Sequence, residues 1–241
     1  MKQINETTFT SDNGLIKFIH GDCMEFMAGC KENEFDLAVV DPPYGINADE
    51  NAFKNGINCK ENGFKEHKNT NWDNAIPTTE YFTELFRVSK EQIIWGGNYF
   101  TDILPPVMSW IIWDKMQYKF SFSDGEMAWY SKNTKMKIFR YARGNESGFA
   151  PKLKKGFKIG VNIHPTQKPI ALYEWQIGQF ATEGMKILDT HLGSGSIALA
   201  IDKANRLDKM NLHLTACEID KEYFDKAINR FSVYEQQLTL F

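Results

Sequence analysis

The sequence predicts one α/β domain built on a mainly parallel sheet with helices on both faces. Seven short apolar runs read as strands, at 15–19, 36–40, 92–95, 108–113, 126–131, 186–189 and 211–217. Several are apolar at successive positions, as strands covered on both faces are. Helical periodicity fills intervals between them, at 23–30, 79–88, 169–181, 196–205 and 221–231. Strands alternating with helices give layers of helix on a parallel sheet, and 241 residues suffice for one well-buried domain with little left over.

Local signals support these elements. Asp22 with Glu25 three residues on forms a capping pair for the first helix, and Pro169 suits the entry of another. Two stretches break the rhythm. Residues 45–76 are long, polar and without periodicity, and residues 133–163 are similar; connections of such length on a rigid sheet are commonly functional. The net charge is −3, but residues 132–168 hold ten Lys or Arg against Glu146 alone, a local +9 on a body of −12. Such a segment is either a phosphate-binding face or a solvated loop. Lys152, Lys154 and Lys155 are its densest part.

The composition excludes other classes. No apolar run approaches the roughly 18–20 residues of a membrane span, and the first residues carry no export signal. The four cysteines, Cys23, Cys30, Cys59 and Cys217, show no paired spacing, so a disulfide framework or zinc site is not expected and a reducing, cytoplasmic setting is. With no His/Asp cluster or phosphate loop, metal-dependent and phosphoryl-transfer chemistry are disfavoured, and no metal ligand is assigned.

Three motifs carry chemistry. Asp41-Pro42-Pro43-Tyr44 directly follows the run FDLAVV, and open α/β sheets bind ligands at the carboxyl ends of strands. The prolines keep the exit extended and leave carbonyls free as acceptors. An exocyclic amine is a poor nucleophile because its lone pair is delocalised into the ring. Accepting its hydrogens on Asp41 and the Pro42 carbonyl favours the pyramidal nitrogen and its developing charge. The Tyr44 ring can stack on a base swung out of a duplex. The second motif is a strand, a glycine turn and a helix, from Lys186 through Asp189, His191, Gly193 and Gly195 to Ser196, followed by a strand ending in Glu218. The glycines admit a ligand close to the backbone, and Glu218 is placed to accept from ribose hydroxyls. This suggests a cofactor containing adenosine and leaves a pyrophosphate undecided. The third, His164 to Pro169, enters a helix; Thr166 and Lys168, with the helix-start amides, can hold a small carboxylate.

Together, in this order, the three motifs resemble the beta-class amino-methyltransferases of DNA. The similarity runs from residue 21 to 220 and includes the segments IIWGGNYF (93–100), WDK (113–115) and SDGEMAWYSK (123–132). It implies a Rossmann-like methyltransferase fold with a seven-stranded sheet, in a permuted order that puts the cofactor half after the catalytic half. It implies S-adenosylmethionine as cofactor and double-stranded DNA as substrate, with methyl transfer to adenine N6 on a flipped-out base; the loops 45–76 and 132–163, with Lys152, Lys154 and Lys155, would then contact the DNA. Asp41, Pro42, Pro43 and Tyr44 would act on the base. Asp22 would contact the cofactor adenine, with Cys23 beside it; Asp41, Asp189, His191, Gly193, Gly195 and Ser196 would border the cofactor, Glu218 its ribose, and Thr166 and Lys168 its carboxylate. The family usually has Asp-Pro-Phe before the glycine turn, whereas here Thr190-His191 replaces Pro-Phe. A protonated His191 near a sulfonium would weaken cofactor binding.

Rivals stay open at this point: cytosine-N4 methylation, for which the family more often has Ser at position 41; methylation of RNA or a protein amide; and a catalytically inactive DNA-binding module. The sequence does not distinguish a monomer from a homodimer, nor name a recognition site or a partner nuclease. Outside the methyltransferase pattern, Gln237, Leu238, Leu240 and Phe241 resemble the short peptide by which bacterial replication proteins dock on the sliding clamp.

Overall fold

A computed structural model describes residues 1–46, 75–117, 123–142 and 167–238, with residues 237 and 238 described as helix backbone alone. Most of the 45–76 loop, His164, Thr166, Lys152, Lys154, Lys155, Leu240 and Phe241 lie outside the described residues, as do the side chains of Gln237 and Leu238.

The chain forms strands β1 (Lys2–Gln3), β2 (Thr8–Thr10), β3 (Ile16–His20), β4 (Phe35–Val40), β5 (Ser89–Trp95), β6 (Trp110–Asp114), β7 (Gly125–Tyr130), β8 (Lys137–Arg140), β9 (Lys186–Asp189) and β10 (His213–Glu218). Its helices are α1 (Cys23–Ala28), α2 (Thr79–Val88), α3 (Ile170–Phe180), α4 (Ser196–Leu207) and α5 (Lys221–Leu238). All ten strands join one sheet in the order β1-β2-β3-β10-β9-β4-β5-β7-β6-β8. The expected seven strands are its continuous middle, β3 to β6, in which β3, β10, β9, β4 and β5 run parallel and β7 is antiparallel to both its neighbours. The count of seven is corrected to ten among the described residues. The additions are the edge strands β1, β2 and β8, the last inside the basic stretch read as loop.

Alternation along the central strands accounts for two helical layers. Leu37, Val39, Ile93, Trp95 and Ile187 join one core, with Leu172 of α3, Ile197 and Ile201 of α4 and Phe224 and Phe231 of α5. Their neighbours Ala38, Val40, Ile94 and Leu188 join the other, with Met27 of α1 and Tyr81, Phe82 and Leu85 of α2. The spacing of Tyr81, Phe82, Leu85 and Val88 makes one buried stripe on α2. Arg87 on α2 donates to the carbonyls of Met27 and Cys30 at 2.7 and 2.8 Å, neutralising the C-terminal end of α1. Asp22 caps α1 as expected, accepting from the Met24 amide at 2.8 Å.

The C-terminal helix runs past the expected end near Phe231 to Leu238. Among the described residues no helix is long and apolar enough to cross a membrane.

The permuted order has a simple geometric result. β9 lies between β10 and β4, all three parallel, with Leu37 opposite Ile187 and Ala38 opposite Leu188. The carboxyl ends of β3, β10, β9 and β4 therefore form one continuous edge. Asp22, Glu218, Asp189 and Asp41 stand at or just beyond those four ends.

Candidate active site

The exit of β4 holds a buried ion chain. Lys168, only 2% exposed in its side chain, forms an ion pair with Asp41 Oδ2 and a second with Glu126 Oε2 at 3.3 Å. Glu126, near the start of β7, is also held by Lys115 at 2.7 Å, just past β6. Two carboxylates and two ammoniums thus alternate. The lysines are deeply buried, while Asp41 and Glu126 keep 21% and 26% of their side chains exposed. An unpaired ammonium at such depth costs on the order of several kcal/mol, and the two carboxylates offset that. Burial pushes the Lys168 ammonium down, but Asp41 and Glu126 outweigh it and hold it above its ordinary value. Burial likewise pushes Glu126 up, and Lys168 with Lys115 bring it below the usual range. At Asp41 burial prevails and raises the carboxyl, with Glu126 adding to it and Lys168 and Tyr44 opposing.

Aromatic rings surround this chain. The Tyr44 hydroxyl donates to Asp41 Oδ1 at 2.5 Å, and Lys168 Nζ donates to the same hydroxyl at 3.2 Å. Lys168 also lies 5.1 Å from the centre of the Trp95 ring, within cation–π range. Tyr99 stacks on Tyr44 with centroids 5.0 Å apart and planes inclined by 16°. Gly96 makes this packing possible: it sits at φ +68°, and a Cβ there would fall 2.1 Å from a Tyr44 ring carbon. Glycine is required twice over, by the left-handed backbone and by the ring.

The neighbouring strand ends carry the second cluster. Gly195 opens α4 at φ +73°, following Gly193 at φ +52°. Glu218 accepts from the amides of Gly193 at 2.8 Å and Asp220 at 3.0 Å, which binds the glycine turn to the end of β10. Arg230 of α5 donates to the Ser194 carbonyl at 2.9 Å and to Ser196 Oγ at 3.1 Å. Gly21 donates to the Glu218 carbonyl at 3.0 Å, which places the exposed Asp22 and the half-buried Cys23 beside this turn. Burial raises the Cys23 thiol to about 12, so it stays protonated.

Asp189 accepts from the His191 amide at 3.0 Å, and burial lifts its carboxyl to about 8. The Thr190-His191 departure is built into the packing. Thr190 Oγ1 bonds the Tyr81 hydroxyl at 2.7 Å and His191 Nδ1 at 2.9 Å, while the Tyr81 ring meets His191 edge-on. Burial lowers His191 to about 4. The imidazole is therefore neutral near pH 7, and the charge feared from the sequence is absent there.

Lys168 thus joins Asp41 and Tyr44 in one cluster, while Glu218, Gly193, Asp189, His191 and Ser196 belong to the adjoining turn. Glu126, Lys115, Tyr99, Gly96 and Arg230 were not assigned roles from sequence, although the segments holding Glu126, Lys115, Tyr99 and Gly96 were among those resembling the methyltransferases.

His191 provides a pH test. Its folded value lies below the unfolded one, near 6.5, so the unfolded chain binds the extra proton between pH 6.5 and about 4. Stability is present above pH 6.5 and declines as pH falls through that window. Replacing His191 by Phe should shrink the drop in Tm between pH 7 and pH 5 by on the order of a few degrees. Equal drops in both proteins would show that His191 is not held neutral.

Comparison with known proteins agrees with this geometry. A family model described as DNA methylase, for the N6 and N4 enzymes, matches residues 35–229. The Type II methyltransferase M2.MboI of Moraxella bovis is 26% identical over 80% of this chain and 81% of its own length. The Type II methyltransferase M.HpaI of Haemophilus parainfluenzae is 24% identical over 92% of this chain and 78% of its own. Among solved structures, the PvuII DNA methyltransferase (cytosine-N4-specific) superposes with a TM-score of 0.59 at 12% identity, covering 95% of this chain and 90% of that one. The M1.HpyAVI–SAM complex does so with a TM-score of 0.54 at 20% identity, covering 90% and 98%. At these identities the two structures establish a shared fold. The match over residues 35–229, which takes in Asp41, Lys168, Asp189, the glycine turn and Glu218, establishes the family: this chain belongs to the N6/N4 DNA methylases.

Proposed function

We propose that this DNA methylase transfers a methyl group from S-adenosylmethionine to the N6 amine of an adenine swung out of the duplex. The observation that carries the proposal is Asp41 at the exit of β4, bound by the Tyr44 hydroxyl and by a lysine that stays charged.

The neighbouring turn fits the cofactor in charge and shape. Asp189 is a buried carboxyl raised to about 8, a group that an adjacent cation would ionise. The turn is left-handed at Gly193 and Gly195, a backbone that glycine adopts without steric cost. Glu218 retains lone pairs beyond its two amide donors and can accept from ribose hydroxyls. His191 packs beside the turn without adding charge. S-adenosylmethionine supplies, when bound, a methyl group on a positively charged sulfonium.

On the target side, the Asp41 carboxylate and the Pro42 carbonyl accept the amine hydrogens and favour the pyramidal nucleophilic nitrogen. Tyr44 offers its ring to the extruded base. Asp41 then takes the proton that the methylated nitrogen sheds. The preference for adenine over cytosine rests on Asp41, because the cytosine-N4 enzymes of the resembled group more often carry Ser there.

Two contacts are proposed on sequence alone. Lys152, Lys154 and Lys155 neutralise DNA phosphates, and Gln237 to Phe241 dock on a bacterial sliding clamp, raising the local concentration of newly copied DNA.

Four outcomes are expected. Incubation with labelled cofactor and DNA, followed by nucleoside analysis, should yield N6-methyladenine. Asp41→Ala should lower single-turnover methylation at least about 100-fold, the scale of losing a transition-state hydrogen-bond partner, with cofactor affinity within a few-fold. Substantial residual methylation, or N4-methylcytosine as product, would refute the assignment. Reversing the three lysines to Glu should weaken DNA binding and flatten its salt dependence; an unchanged slope would make the segment a solvated surface. Deleting 237–241 should abolish binding to purified clamp while activity on free DNA persists, and an intact protein without clamp affinity would end that idea.

A further inference from the structure

Asp41 has an unusual partner for an amine acceptor. An ammonium resting on a carboxylate keeps it ionised but also draws on its lone pairs and opposes its taking up a proton. A dedicated Asp41–Lys168 pair would make Asp41 a weak acceptor for the amine hydrogens and a poor recipient of the proton released afterwards. The structure does not present a dedicated pair. Lys168 also reaches Glu126 at 3.3 Å, and Glu126 is anchored on its far side by Lys115 at 2.7 Å. Both lysines are buried to within a few per cent, whereas both carboxylates keep part of their side chains exposed. The ammonium therefore has a second seat when Asp41 turns toward an amine, and it need never stand unpaired in the interior.

We propose that Glu126 is a positioning residue for methyl transfer: it shares Lys168 with Asp41, so that Asp41 stays ionised yet remains available to the target amine. Lys115 keeps Glu126 ionised and in place. The inference rests on the reading of Asp41 as the amine acceptor. The groups bearing on Asp41 are Lys168 just ahead of α3, Tyr173 on α3, Tyr81 on α2, Tyr44 from its own strand exit, Glu126 from β7 and Asp189 from β9. Those bearing on Glu126 are Lys168 and Lys115, with Asp41, Tyr44 and Tyr173 beyond.

The sharing has a signed consequence. Removing the Glu126 charge leaves Lys168 wholly to Asp41 and moves the protonation of Asp41 to lower pH. Removing the Lys115 charge does the reverse. The test is single-turnover methylation across pH for the full chain and for Glu126→Gln, Glu126→Asp and Lys115→Gln, with thermal unfolding and the affinities for DNA and S-adenosylmethionine measured in parallel. Glu126→Gln should slow transfer by about 10–100-fold, with both affinities within about threefold, and should displace the acid limb downward. Lys115→Gln should displace it upward, and Glu126→Asp should recover most of the rate.

A Glu126→Gln protein as fast as wild type would overturn the proposal. So would a loss that follows Tm with no displacement of the acid limb, or an aspartate variant as slow as the glutamine one. Should Glu126→Gln prove too unstable to profile, the limbs of Glu126→Asp and Lys115→Gln decide: no displacement in either overturns the proposal. A wild-type protein that methylates no adenine refutes the function proposed above; the role of Glu126 fails separately, in an active wild type whose variants do not behave this way.

Discussion

The pairing of β4 with β9 is the constraint on which the rest of the structure depends. It joins segments from opposite ends of the chain, with Leu37 against Ile187 and Ala38 against Leu188. Because the two strands are parallel, their carboxyl ends point the same way. One end delivers Asp41 and Tyr44, and the other delivers Asp189, His191 and the glycine turn. Adjacent parallel strands leave a crevice at their carboxyl ends, where ligands of open α/β sheets bind. The pairing is held from both sides, since Leu37 and Ile187 face one helical layer and Ala38 and Leu188 the other. A slip of one residue would reverse every one of these assignments.

Charge in the crevice follows from the same architecture. Four acidic side chains, from Asp22 to Asp41, gather along one edge, and Glu126 arrives from β7 on the far side of Lys168. A buried cluster of carboxylates repels itself unless neutralised or protonated. Near Asp41 the neutralisation comes from Lys168 and Lys115, which are part of the protein. Near Asp189 burial raises the carboxyl to about 8. The two halves of the edge are thus unlike: one carries its own cations, and the other is suited to receive a cationic ligand.

Much of this was legible in the sequence because it is local. The Asp41 to Tyr44 motif, the glycine turn and the cap at Asp22 are short segments whose chemistry does not depend on distant partners. The seven central strands announced themselves through short apolar runs, several of them, such as β4 and β9, buried at successive positions. The edge strands did not: β1 and β2 are two and three residues long, and β8 alternates half-buried and exposed residues within a basic stretch. The C-terminal helix continues past the periodic stretch 221–231, and its added turns bury a charged residue, Glu235, which is 3% exposed and accepts from the Asp12 amide at 3.0 Å. The ion chain was hidden for a different reason. Asp41, Lys168, Glu126 and Lys115 come from four separate segments, and no periodicity or spacing relates them. Lys168 reads from sequence as a helix-entry cation able to hold a carboxylate, and the structure places it between two carboxylates of the protein itself.

The central claim is that the Asp41 crevice methylates adenine in DNA. It is tested most directly by sequencing DNA from cells that express the protein, with a method that detects modified adenine and modified cytosine separately. The account predicts N6-methyladenine at one recurring sequence context, absent from cells lacking the gene. DNA without added methylation, or with modification on cytosine N4, would contradict it.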